Sequence, residues 1–107
     1  MVEKYYNKNG EVGILISRGF GAGWSTWDYN HGYDIAMDKR IIEKWLTSPS
    51  YDEMEEFLNS IGYKNVYMGG YSDLDLEFVT PGIKFYIDEY DGAESLITEN
   101  DGRFCTA

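Results

Sequence analysis

Residues Val12–Ser17 read VGILIS, a nearly continuous apolar run, and this run constrains the architecture more than any other feature of the chain. A strand that is apolar at successive positions is buried on both faces, so the rest of the sequence must cover it. With 107 residues there is material for one domain spanning 1–107. A chain of that size removes roughly two-thirds of its unfolded surface from water, enough for one modest core. The hydrophobic share of 43% and the aromatic share of 17%, much of it from ten tyrosines, favour folding over disorder.

The flanking segments supply candidate partners for that strand. Residues 2–6 form a possible first strand, followed by a tight turn at Lys8-Asn9-Gly10. Two helices are expected after residue 37. Asp38 is placed to cap the first, which carries Ile41, Ile42, Trp45 and Leu46 and stops at Ser48-Pro49. Ser50 and Glu53 have capping-box spacing for the second, whose apolar stripe is Met54, Phe57, Leu58 and Ile61, with Gly62 just past its end. The last third reads as strands. Asn65–Met68 is one. Leu74, Leu76 and Phe78 alternate with Asp73, Asp75 and Glu77 in another. After Pro81-Gly82, Ile83, Phe85 and Ile87 alternate with Lys84, Tyr86 and Asp88. Asp91-Gly92 turns the chain into Ser95–Thr98, and Asn100–Gly102 turns it again. The expectation is an α+β fold, with an antiparallel sheet of about five or six strands and two helices packed on one face.

Residues 18–33, RGFGAGWSTWDYNHGY, hold four glycines and five aromatics, and are too aromatic for an ordinary linker. Gly19, Gly21 and Gly23 could let main-chain N–H groups converge on an anion. Ser25 and Thr26 add hydroxyl donors, Arg18 a charge-assisted bond, and Trp24 and Trp27 ring faces for stacking. The glycine spacing matches neither the P-loop nor the dinucleotide fingerprint. A glycine-kinked strand over which an aromatic packs explains the same residues without a ligand.

Nine basic residues face nineteen acidic ones, for a formal charge of −10. Nucleic acid and anionic membranes attract basic surfaces, so neither is an expected partner, whereas a basic protein surface is. Asp73, Asp75 and Glu77 share one strand face, and Asp52, Glu53, Glu55 and Glu56 crowd the first half of the second helix. These faces could imitate phosphates for a basic groove, or simply keep the protein in solution. Lys39, Arg40 and Lys44 with Arg18 could form a positive patch, or pair with Glu43 and its neighbours.

The catalytic inventory is thin. His31 is the only histidine and Cys105 the only thiol, so a Ser-His-Asp or Cys-His arrangement would need His31, which sits in an ordinary-looking turn. The acidic segments lack EF-hand ligand periodicity. No catalytic residue, metal or cofactor is expected, and enzymatic activity is the lesser expectation. One cysteine makes no internal disulfide. The first ten residues are polar, and no apolar run approaches the roughly 20 residues a membrane span needs. A cytoplasmic location follows by elimination.

Three segments, VGILISRGFGAGWSTW at 12–27, DKRIIE at 38–43 and FYIDEYDGAES at 85–95, together resemble a family of small bacteriophage- and prophage-encoded proteins. GAGWSTW is the most specific of these. The resemblance implies a phage origin and a host-cytoplasm location, and it carries no catalytic residue with it. Two functions are expected from the whole. One is an accessory or counter-defence protein that sequesters a small nucleotide-like ligand through Arg18, Gly19, Gly21, Gly23, Trp24, Ser25, Thr26 and Trp27. The other is an acidic mimic that blocks a basic groove on a host nuclease or polymerase through Asp73, Asp75, Glu77, Asp52, Glu53 and Glu56. A homo-oligomer is compatible with either.

Overall fold

Strand β1 (Val12–Ser17) is buried at every position and runs through the middle of the molecule. In a computed structural model, which describes residues 2–99, it pairs antiparallel with β2 (Leu74–Val79), Leu15 opposite Leu76. Its other edge meets the N-terminal segment, where the Gly13 N–H donates to the Tyr5 carbonyl at 2.9 Å and Tyr6 bridges to Val12. A second antiparallel pair joins β3 (Phe85–Tyr90) to β4 (Ala93–Thr98).

The architecture is therefore α+β, but with two two-stranded sheets in place of one sheet of five or six strands. Three local commitments explain the difference. Residues 2–6 make isolated bridges from Lys4 to Asp38 and from Tyr6 to Val12, not a ladder. Residues 65–68 are not a strand either. Asn65 takes φ 59°, and the Tyr67 N–H donates to the Asp28 side chain at 2.9 Å, which removes it from any ladder. Finally, the β3–β4 hairpin meets β1 through a side chain, since the Ser17 N–H at the end of β1 donates to Glu94 Oε1 at 2.7 Å. The Pro81-Gly82 turn forms, with the Ile83 N–H on the Thr80 carbonyl, yet β2 pairs back to β1 and not forward to β3. The Asp91-Gly92 turn does close a hairpin. Both residues have positive φ, 50° and 88°, the backbone that a two-residue connection between twisted strands requires.

Helices α1 (Asp34–Met37) and α2 (Lys39–Trp45) pack on β1, and α3 (Tyr51–Ser60) packs against α2. The short α1 was not expected. Asp38 caps α2 by accepting the Arg40 N–H at 2.9 Å, and the Ser50/Glu53 capping box of α3 is complete. The core is Ile14, Leu15 and Ile16 of β1, Ile35 and Ala36 of α1, Ile41 and Ile42 of α2, Met54 and Leu58 of α3, and the ring of Trp24. No helix among the described residues is long and apolar enough to cross a membrane. Cys105 and the turn expected at Asn100–Gly102 lie outside the described residues.

Candidate functional site

The glycine-aromatic loop is organised around a carboxylate from β4. Glu94 is 3% exposed, although glutamate is seldom buried without partners. Its Oε2 accepts the Trp24 N–H at 2.9 Å, the Thr26 N–H at 3.1 Å and the Thr26 hydroxyl at 2.5 Å, while its Oε1 takes Ser17. The loop thus makes the kind of anion cradle that its composition suggests, and the protein's own glutamate fills it. Trp24 is not a stacking platform. It is fully buried and its Nε1–H donates to the Ile35 carbonyl at 3.0 Å. Ser25 is also buried.

The glycines serve close approach. A Cβ on Gly19 would strike the Asp73 carboxylate, and one on Gly23 would lie 2.7 Å from Cδ1 of Trp27. The Gly21 N–H donates to the Asp91 carbonyl at 2.5 Å, tying the loop to the hairpin turn. Arg18 points away from the loop's interior. It donates from Nε to Asp75 at 2.8 Å and from its guanidinium to Glu77, and these carboxylates in turn raise the arginine further above its ordinary value. The other Asp75 oxygen accepts the Leu76 N–H at 2.9 Å. The acidic face of β2 is therefore partly neutralised from within, and Asp75 blunts an edge strand.

Of the two loop tryptophans, Trp27 is the one that borders a hollow. Its indole lies 5.7 Å from the Tyr67 ring at an interplanar angle of 52°, and its Nε1–H donates to Glu89 Oε2 at 3.2 Å. A groove of about 650 Å³ opens beside these rings, bordered also by Tyr29, Asn30, Asn65 and Glu55. That volume falls within the range of ligand sites, roughly 300–1,000 Å³. Asp28 builds the floor. Its Oδ1 accepts from the N–H groups of Asn30 at 2.8 Å and His31 at 3.0 Å and from His31 Nδ1 at 3.0 Å, while Oδ2 holds Tyr67. Burial raises the Asp28 carboxyl, but the bonds from Tyr67, Asn30 and His31 outweigh it and leave the group below the usual carboxylate range. An ionised carboxylate only accepts, so in this contact the His31 Nδ1–H is the donor. A second hollow of about 470 Å³, beside Trp45, Pro49 and Tyr71, is lined by no charged side chain.

The loop and acidic residues singled out in the sequence do not converge on one site. Asp52 and Glu56 are exposed on α3, and Glu53 is held in the capping box, which lowers its carboxyl. Arg40 folds back on Asp38, and Lys44 lies over the Phe57 ring at 5.7 Å, so no shared positive patch forms with Arg18. The groove residues Glu55, Asn65 and Tyr67 were missed because they join across the chain, whereas Tyr29 lay within the aromatic loop but was not singled out. The one local signal was Asp28 followed by Asn30 and His31, the pattern of a side chain accepting from N–H groups two and three residues on. Among the described residues no three His, Cys, Asp or Glu side chains converge as a metal site requires. Comparison with family models, curated proteins and solved structures finds no match. The phage-family resemblance thus rests on the quoted segments alone.

Proposed function

We propose that this chain is an acidic binding protein that docks on a basic protein surface. The observation that carries this reading is the disposition of its charges. Both described arginines are tied to the chain's own carboxylates, Arg18 to Asp75 and Glu77 and Arg40 to Asp38, whereas Asp52, Glu55 and Glu56 stand exposed on α3 with no ion-pair partner among the described residues. Taken with a formal charge of −10, that surface attracts cations and repels phosphate. In the phage setting that the resemblance implies, the partner class is a host nuclease or polymerase with a basic groove. Sequestration of a nucleotide-like ligand by the Gly19–Trp27 loop has less support. The loop N–H groups of Trp24 and Thr26 are occupied by Glu94, and Arg18 faces carboxylates.

The test is affinity capture of host proteins by the immobilised chain at about 50 mM and about 500 mM salt, a range over which exposed charge pairs become screened. A triple variant Asp52→Lys, Glu55→Lys, Glu56→Lys serves as the control. The reading expects capture of a basic protein that is lost at high salt and lost in the variant. Capture that ignores both changes rules the reading out.

A further inference from the structure

We infer that the Trp27–Tyr67 groove seats an arginine side chain of the basic partner. This inference rests on the proposed docking function and names the contact that would give it specificity. The rings come first. Trp27 and Tyr67 present π faces 5.7 Å apart at 52°, with the Tyr29 ring, 96% exposed, at the rim. Ring faces carry negative charge density and attract cations, and indole does so most strongly.

Charge comes second. Among the residues bordering the groove are two carboxylates, Glu55 and Asp28, and no cation. Asp28 is occupied by its four hydrogen bonds, which leaves the exposed Glu55 to meet an incoming donor. Glu89 fixes the indole edge and adds a further negative charge near the ring. A phosphate or carboxylate ligand would find the amides of Asn30 and Asn65 as donors but no cation to offset repulsion from Glu55 and Asp28. A planar guanidinium can stack on one ring and still donate to Glu55, which the compact ammonium of lysine does less well.

The experiment titrates the full chain with acetyl-Gly-Arg-Gly-amide and with its citrulline counterpart, which keeps the shape but lacks the charge. It follows the Trp27 indole N–H by NMR. The expected result is a saturable shift of that resonance with the arginine peptide and binding weaker by about tenfold with citrulline. Tyr29→Ala and Glu55→Gln alter exposed positions, so they should fold normally and bind the arginine peptide less tightly. Equal binding of the two peptides, no shift, or a preference for adenosine overturns the inference. The docking function fails separately. If the lysine triple variant loses partner capture while Trp27→Ala retains it, the groove assignment is wrong and the docking function stands. If the arginine peptide binds but the triple variant still captures its partner in high salt, the docking function is wrong.

Discussion

The Glu94 carboxylate on β4 accepts the main-chain N–H of Trp24 at 2.9 Å, joining two residues seventy positions apart. That contact, with its companions to Ser17 and Thr26, pins the β3–β4 hairpin to the end of β1. It also completes the glycine loop by giving the N–H groups of Trp24 and Thr26 their acceptor.

Glu94→Gln should destabilise the protein by about 1–3 kcal/mol, because the new amide NH₂ must face one of the N–H donors that the carboxylate satisfied on both oxygens. Glu94→Ala strips all of them and should cost more. Urea unfolding followed by circular dichroism measures both. An unchanged midpoint in Glu94→Ala would show that the loop does not depend on this carboxylate.

The two loop tryptophans should respond in opposite ways. Trp24→Phe removes the donor to the Ile35 carbonyl and leaves a gap in the core, a loss of roughly 2–4 kcal/mol. Trp27→Phe keeps a ring over Gly23 and changes stability by less than about 1 kcal/mol. Acrylamide quenching of the two single variants separates them. Against the constant emission of the half-buried Trp45, replacing Trp27 should lower the accessible share and replacing Trp24 the protected share. The reverse assignment contradicts the burial described above.

What was legible in the sequence was local. The Asp38 cap, the Ser50/Glu53 box, the Asp91-Gly92 turn and the bounds of β1 each follow from a few adjacent residues, and each forms. The four-residue α1 is too short to show a period. The sheet was misjudged because alternation reports that a segment is extended, not what it pairs with. Asn65–Met68 has strand composition, but its main chain is held by Asp28, a residue some forty positions earlier. Likewise the loop chemistry was visible in its residue types, but its acceptor, Glu94, belongs to the opposite end of the chain. Trp27 was recognisable as a candidate, whereas Tyr67 and Glu55 join it only once the chain has folded.

Acid should unfold the protein through Asp38 and Asp28. For Asp38, burial raises the carboxyl, but the Arg40 side chain, the Tyr63 hydroxyl and the Arg40 N–H bring it below its ordinary value. A carboxyl lower in the folded than in the unfolded chain stabilises the fold above the unfolded value, about 3.9, and that contribution is lost as pH falls through the folded value. Stability in urea should therefore hold from pH 7 to about 5 and decline steadily below about 4. Asp38→Asn should start lower and decline less steeply. A slope identical to that of the parent would mean that Asp38 is not among the groups titrating on unfolding.

Gly82 and Gly92 offer a matched comparison, since their φ angles are 86° and 88°. Alanine at either position carries the left-handed backbone penalty, about 1 kcal/mol. At Gly82 nothing lies within 4 Å of the added Cβ, so the penalty is the whole effect. At Gly92 the Cβ would run into the main chain of Ala22, forcing the hairpin away from the glycine loop and weakening the Gly21–Asp91 contact. Gly92→Ala should therefore cost about 3 kcal/mol, several times the effect at Gly82. It should also loosen Trp27, because Glu89, which holds the indole, itself accepts the Gly92 N–H at 2.9 Å. Equal losses at the two glycines, with the Trp27 indole resonance unmoved in Gly92→Ala, would mean that the hairpin and the loop are not packed as described and that the groove does not depend on their contact.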